Sequence, residues 1–204
     1  MIDNIDVIFP SMANILDRKE STSFLLEKYN LSKDEVEIMI FRDIINGRRE
    51  YKGLSLGEYI RLIDKNKKEI IMSDTPMEKR TNIEFYRNAN GKVLIGGLGI
   101  GMILLAVQKK PQIDKIVVVE KHKEIIDIVA SQLPLNHKVI IINDDIFNFK
   151  TEELFDCIYF DIWNVINREY FKEHLYLIKK YYNNLNKKNL MSWIGSWIFS
   201  DFKK

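Results

Sequence analysis

A glycine-rich segment, VLIGGLGIG at residues 93–101, has the residue types and spacing of a ligand-binding turn. A short apolar run ends in glycines, and the apolar residues after it recur at helical spacing, so the pattern predicts a strand that turns into a helix. Glycine suits such a turn because the backbone can bend tightly and approach a ligand without a Cβ in the way. The amide groups of the first helical turn then point at that ligand.

A carboxylate follows at the distance expected of a nucleoside site. Glu120 ends the next predicted strand, 21 positions after Gly99. A carboxylate at the carboxyl end of the second strand is placed to accept hydrogen bonds from both ribose hydroxyls. Two alternatives stay open at this point: the glycines serve only a tight turn, or Glu120 is a solvated surface residue.

The spacing of the glycines narrows the choice of ligand. A dinucleotide fingerprint reads G-x-G-x-x-G/A, whereas Gly97, Gly99 and Gly101 give G-x-G-x-G and Met102 takes the place of the third glycine. A phosphate-binding P-loop is excluded because no Gly-Lys-Ser/Thr follows. The spacing therefore disfavours a nicotinamide dehydrogenase.

Alternating strands and helices must position these groups. Strand-like apolar runs lie at residues 93–95, 115–120, 139–142, 157–160 and 190–194, with helical periodicity between them. The runs are apolar on both faces, which is typical of a parallel sheet covered by helices on two sides. Residues 91–204 are therefore predicted to form an α/β domain: a Rossmann-like, mostly parallel sheet with helices on both faces. A long helix before the last run is predicted to bury Phe171, Leu175, Ile178, Tyr182 and Leu185.

Residues 1–90 are predicted to form a mainly helical N-terminal extension with short strands. Ser32 and Glu35 have the spacing of a capping box, apolar residues follow at helical spacing, and Gly47 supplies a stop. The run at residues 69–72 is a candidate strand. It leads into a turn at residues 73–76, since the residue before a proline is disfavoured in a helix.

The sheet is expected to be shortened at its C-terminal edge. Only 14 residues follow Leu190, which is too few for another helix and a pair of strands at about 3.3 Å per strand residue. An aromatic edge at residues 192–199 would invite aggregation unless it were covered. We therefore expect the N-terminal region or a second subunit to shield Trp193 and Trp197.

The motifs together resemble those of the class I S-adenosylmethionine-dependent methyltransferases. The resemblance rests on VLIGGLGIG, the strand-end Glu120, Asp145 after the third strand and FDCIYFDIW at the fourth, and it covers roughly residues 70–195. Within that superfamily the sequence is most similar to the spermidine synthase-like branch. Ile95 stands where many class I enzymes carry an acidic residue, and that branch tends to share the departure.

The resemblance implies S-adenosyl-L-methionine as the cofactor. Gly97, Gly99 and Gly101 would line its methionine part, and Glu120 would hold the ribose. Asp145 would bond the adenine amino group, with Asp144 as its competitor. The alternative for both aspartates is a loop carboxylate in water.

Two further acids, Asp161 and Asp74, are the candidate catalytic residues. Asp161 follows the fourth strand, at the edge where ligands bind in open α/β sheets, and the matching aspartate of spermidine synthases helps to deprotonate or orient the attacking amine. The Asp-Pro that follows in that family is missing here, and Trp163-Asn164 occupies the neighbourhood, which puts aminopropyl transfer in doubt. Asp74 falls where related proteins bring a loop over the active site. The alternative for Asp161 is a helix cap or a buried structural acid, and the alternative for Asp74 is a turn in which it caps the helix that starts near Met77.

The composition excludes several other classes of protein. The 204 residues are 46% hydrophobic and 29% charged, with a formal net charge of +2, so a folded core is expected and nucleic acid or an anionic membrane is not favoured as a partner. No apolar run reaches about 18 residues and no signal-peptide pattern opens the chain, so a cytoplasmic protein is expected. Cys157 is predicted to be a buried hydrophobe. The three histidines lack metal-ligand spacing, so no metal site is predicted.

The leading prediction is therefore an S-adenosylmethionine-dependent methyltransferase with a small-molecule or peptide-borne acceptor. The protein would align the donor and the acceptor, and Asp161 or Asp74 would take or orient the acceptor's proton. Aminopropyl transfer from the decarboxylated cofactor and a non-catalytic nucleoside-binding module are the alternatives. The exposed sheet edge adds the expectation of a homo-oligomer.

Overall fold

The computed structural model describes residues 4–45, 47, 54–165 and 167–197. They form two sheets, one antiparallel and one parallel. The N-terminal elements are α1 (Ile5–Ile8), β1 (Lys19–Glu20), β2 (Phe24–Leu31), α2 (Lys33–Ile45), β3 (Gly57–Asp64), β4 (Glu69–Ser73), α3 (Pro76–Thr81) and α4 (Ile83–Asn88), with a short 3₁₀ helix at Met12–Asn14.

Besides its helices, the N-terminal region contains a four-stranded antiparallel sheet, where the sequence predicted only short strands. Its strands pair in the order β1-β2-β3-β4. Phe24 and Leu26 on β2, and Ile60 and Leu62 on β3, are buried at alternate positions, because successive strand residues point to opposite faces. The candidate strand at residues 69–72 is confirmed as β4.

The capping box before α2 is also confirmed. The Ser32 hydroxyl accepts the N–H of Glu35 at 3.3 Å, and the Glu35 carboxylate accepts the N–H of Ser32 at 2.8 Å. Gly47 ends this helix in the left-handed region, with φ of +63°, and donates to the carbonyl of Ile44.

The C-terminal half confirms the prediction of a parallel sheet between layers of helices. Its elements are β5 (Gly91–Gly96), α5 (Met102–Gln108), β6 (Ile113–Glu120), α6 (Lys123–Val129), β7 (Val139–Asn143), β8 (Cys157–Phe160), α7 (Arg168–Tyr181) and β9 (Trp193–Ser196). The strand order is β7-β6-β5-β8-β9, and all four pairings are parallel. The order reverses at β5, and ligands of open α/β sheets bind beside such a reversal.

The long helix is present as α7, but its buried face differs from the prediction. His174, Leu177 and Tyr181 are the buried residues, whereas Leu175 and Tyr182 are about half exposed, at 48% and 53%. The helix packs against β9 through a buried polar contact. The Ser196 hydroxyl of β9 lies 2.8 Å from Nδ1 of His174 on α7. The prediction considered only apolar residues, so it missed His174 on the buried face of α7.

The N-terminal region covers the aromatic edge at β9, as expected. Phe85 of α4 packs on Tyr159 with ring centroids 4.2 Å apart, and on Trp193 at 6.3 Å. Trp193 and Trp197 are both partly buried. Residues 198 and 199 of the predicted edge lie outside the described residues.

One apolar cluster runs through both halves of the chain. It joins Phe9, Leu62 and Phe85 from the N-terminal region to Val93 and Val118 of the parallel sheet. Cys157 is fully buried within it, as predicted, and burial raises the pKa of its thiol. Among the described residues, no helix combines the length and apolar character needed to cross a membrane.

Candidate functional site

A groove of ≈1580 Å³ opens at the carboxyl ends of the parallel strands. Residues after β5, β6, β7 and β8 form one wall, and the opposite wall comes from β4, α3, α4 and the turn between β3 and β4. Five of the residues predicted from the sequence line it: Gly97, Gly99, Glu120, Asp145 and Asp161. The remaining three, Gly101, Asp144 and Asp74, are not among its described lining residues.

The Glu120 carboxylate is fixed at the floor of this groove. Its residue is only 5% exposed. One oxygen accepts the N–H of Leu98 at 2.9 Å, and the other accepts the N–H of His122 at 2.8 Å. A carboxylate offers about four acceptor sites, so each oxygen retains the capacity to accept a hydroxyl. The arrangement suits a vicinal diol such as a ribose.

The glycine turn brings bare backbone to the groove. Gly97 has φ of +97°, and a Cβ there would lie 2.3 Å from the carbonyl oxygen of Asp161. Gly99 has φ of +52°, and a Cβ there would lie 2.4 Å from Sδ of Met72. The turn is therefore packed against β8's end on one side and against the N-terminal sheet on the other.

Gly101, the third glycine of the turn, is not among the described residues that line the groove. It caps α5 in the left-handed region, and a Cβ there would lie 2.4 Å from the side chain of Leu133. This glycine allows α5 to pack closely against the residues after α6. The geometry thus favours a packing role for Gly101 over contact with a ligand in the groove.

Of the two competing aspartates, the structure brings Asp145 to the groove. Its carboxylate lies 3.0 Å from Nζ of Lys121 and accepts the N–H of Phe147 at 2.9 Å. Burial acts to raise the pKa of Asp145, but these two contacts outweigh it and hold the pKa below its ordinary value. Asp144 instead accepts the N–H of Asp145 at 2.7 Å.

Asp161 is an acid without a partner at the end of β8. Its backbone N–H donates to the carbonyl of Gly96 at 2.8 Å, which places the residue beside the glycine turn. Within the part of the chain that the structure describes, no hydrogen bond or ion pair satisfies its carboxylate. Burial raises the pKa of Asp161 to about 7. The group can therefore exchange a proton near neutral pH.

The catalytic prediction for Asp74 is not supported by the geometry. The residue is 2% exposed, and its carboxylate accepts backbone N–H groups of Met12, Ala13 and Ile60 at 2.9, 3.2 and 2.9 Å. Those bonds tie the N-terminal 3₁₀ helix to β3. Asp74 does not cap the helix near Met77, whose N-cap is Thr75, but accepts from the first N–H groups of the helix at Met12–Asn14.

Glu78 is a groove residue that sequence reasoning missed. It lies in the first turn of α3. Burial, together with the nearby charge of Asp161, raises the pKa of Glu78 to about 8, although a backbone hydrogen bond from Ser73 opposes the rise. The one local signal is an acidic residue directly after a predicted turn with proline, and that signal does not show which way the side chain points.

Replacing Asp161 with asparagine is expected to stabilise the protein at pH 8. The folded chain binds this proton more tightly than the unfolded chain, because burial raises the pKa of Asp161 from 3.8 to about 7. The stability of the wild-type protein therefore falls as the pH rises between these values. We expect Asp161→Asn to gain about 2 kcal/mol at pH 8 and almost nothing near pH 4. Urea denaturation at both pH values measures the difference, and equal stabilities at pH 8 would contradict a raised pKa of Asp161.

Comparison with known proteins gives distant structural likenesses only. No protein-family model matches the chain, and no curated protein matches it. N-methyltransferase NodS from Bradyrhizobium japonicum WM9 is 20% identical, with 55% of this chain and 62% of that chain covered and a TM-score of 0.40. The plantazolicin methyltransferase BpumL, solved in complex with SAH, is 22% identical over 40% of this chain and 30% of its own, with a TM-score of 0.31. DhpI, also solved with SAH, is 17% identical over 52% and 50%, with a TM-score of 0.40. The chain spans about a third to three fifths of the length of these structures.

Proposed function

We propose that this chain is an S-adenosyl-L-methionine-dependent methyltransferase that acts on a small-molecule or peptide-borne acceptor. One observation carries the proposal. The buried Glu120 carboxylate is fixed by two backbone N–H groups beside the cavity that Gly97, Gly99 and Asp145 also line. An adenosine-bearing ligand is expected to use three such features: a carboxylate that accepts from the ribose hydroxyls, a glycine turn, and an acid after the next strand.

The residues present fit the cofactor. Gly97 and Gly99 need glycine because a side chain at either would collide with Asp161 or Met72, and the same two residues present backbone without a side chain to the groove. Glu120 would hold the ribose hydroxyls, and Asp145 would accept from the adenine amino group. When bound, the cofactor supplies an activated methyl group on a sulfonium.

The chain's own residues then have to orient the acceptor and receive its proton. Asp161 stands beside the glycine turn and titrates near neutrality, so it can accept hydrogen from an N–H or O–H nucleophile. Residues of β4, α3 and α4 line the same groove, and they would enclose the acceptor beside Asp161. Alignment and exclusion of water are the main contributions that such a transfer asks of a protein.

Aminopropyl transfer is the second candidate, and the charge of the groove favours it. The described lining residues include eight carboxylates but only four lysines and arginines, although the chain as a whole has a net charge of +2. A negative lining disfavours the carboxylate of S-adenosylmethionine and tolerates the decarboxylated form, because like charges repel in a site of low dielectric.

Calorimetry separates these functions. We expect S-adenosylmethionine to bind and NAD not to bind. Tighter binding of the decarboxylated cofactor than of S-adenosylmethionine would transfer the proposal to aminopropyl transfer. Binding without turnover on any amine, hydroxyl or peptide acceptor would indicate a non-catalytic nucleoside-binding module. No binding of either sulfonium would overturn the proposed function.

A further inference from the structure

Two carboxylates enter the groove from parts of the chain that are far apart in sequence. Glu78 belongs to α3 on the N-terminal wall, and Asp161 follows β8 on the sheet wall. Two hydrogen bonds connect the two walls. The Tyr159 hydroxyl donates to Oδ1 of Asn82 at 2.5 Å, and Nδ2 of Asn82 donates to the carbonyl of Glu78 at 2.8 Å. The placement of the two acids is therefore fixed by packing and hydrogen bonds.

Neither acid has a cation assigned to it among the described residues. A backbone hydrogen bond from Ser73 reaches Glu78, and nothing comparable reaches Asp161. Each carboxylate thus retains acceptor capacity, and the two repel each other when both are ionised. The other charged side chains that line this part of the groove are Arg80 on α3, Glu84 and Arg87 on α4, and Glu173 on α7.

We propose that Glu78 is a second catalytic carboxylate, which acts with Asp161 as a coupled pair to receive the proton of the acceptor. The inference rests on the proposed function. As the acceptor atom bonds to the transferred carbon, the carbon–sulfur bond breaks and its electron pair stays on sulfur. The acceptor's N–H or O–H proton passes to whichever carboxylate of the pair is ionised, so charge and atoms balance.

The electrostatics of the pair suit this role. Burial raises the pKa of Asp161 to about 7, and burial together with the charge of Asp161 raises the pKa of Glu78 to about 8. At neutral pH the pair therefore holds between one and two protons, and the steps belong to the pair rather than to either residue. A carboxylate whose pKa lies near the working pH is also the most effective general base.

Carboxyl-carbon NMR titration of the full chain tests the proposal without knowledge of the acceptor. In the wild-type protein we expect two carboxyl signals to titrate between about pH 6 and pH 9. Glu78→Gln is expected to lower the midpoint of Asp161 by about one pH unit, and Asp161→Asn is expected to lower that of Glu78 equally, because the coupling is reciprocal. A Glu78 carboxylate too far from Asp161 to interact with it would not produce these two shifts.

Glu69→Gln is the matched control, since Glu69 also lines the groove but contacts Nδ2 of Asn164 at 3.3 Å, on the rim. It is expected to leave both midpoints in place. The inference is overturned if both acids of the wild-type protein titrate below about pH 5, or if neither variant shifts the other residue's midpoint. S-adenosylhomocysteine binding, measured on the same samples, reports separately on the proposed function. Its absence would reject the cofactor assignment, while the titrations would still test whether the two acids are coupled.

Discussion

Glu120→Ala is expected to weaken the binding of S-adenosylhomocysteine by about 100-fold, because a desolvated carboxylate contact to a sugar hydroxyl is lost at each oxygen. The same carboxylate also anchors the N–H groups of Leu98 and His122. The substitution therefore loosens the glycine turn as well as removing the ribose contact. Isothermal titration calorimetry on the purified full chain measures the change.

Glu124→Ala is the control for this substitution. Glu124 lies four residues later, on α6, and its carboxylate accepts the N–H and hydroxyl of Ser23 outside the described groove lining. Affinity for S-adenosylhomocysteine should stay within about twofold of the wild-type value in that variant. If Glu120→Ala bound as tightly as the control, the acid would have no part in holding a nucleoside.

Gly97→Ala is expected to destabilise the folded chain by about 3 kcal/mol or more, since it combines an unfavourable backbone conformation with a steric collision. The new Cβ would lie 2.3 Å from the carbonyl oxygen of Asp161, at a φ of +97°. A backbone carbonyl at the end of a central strand cannot move aside cheaply. Chemical denaturation measures the loss, and circular dichroism shows whether the variant folds at all.

Gly47→Ala separates strain from collision. Gly47 also has a positive φ, of +63°, but a Cβ there would meet nothing within 4 Å. Its loss should be about 1 kcal/mol, the cost of the backbone conformation alone. Equal losses in the two variants would show that the glycine turn is not packed as tightly as the structure indicates.

The parallel half could be predicted from the sequence because its strands are buried on both faces. Residues 116–119 and 157–160 are continuous apolar runs, and such runs stand out against helical periodicity. In the antiparallel half β4 was predicted, but β2 and β3 were missed. Glu27 of β2 and Arg61 of β3 form a cross-strand ion pair of 2.6 Å on the face opposite the buried residues. The apolar residues Leu25 and Ile63 lie on that same face, so the alternation of apolar and polar residues is interrupted.

The candidate site divides along a similar line. Glu120 and Asp161 could be predicted because strand ends are fixed by the sheet itself. Asp74 looked like a cap in its own segment, yet the backbone it caps begins at Met12, which only tertiary packing brings near. Glu78 lines the same groove as Asp161, and the hydrogen bond between Tyr159 and Asn82 joins the two walls that carry them. Contacts between residues so far apart in sequence leave no local pattern to read.

The shared apolar cluster makes the two sheets one mechanical unit. Met72 of the N-terminal sheet lies against Gly99, and Phe85 of α4 lies against Tyr159 of β8. A fragment that began at Gly91 would lose the N-terminal wall of the groove. It would also lose the N-terminal residues that pack on the parallel sheet, so the buried face of β5 and β8 would be exposed to water. Replacing the N-terminal wall of the groove would therefore require a redesign of the apolar core as well as of the surface that faces the acceptor.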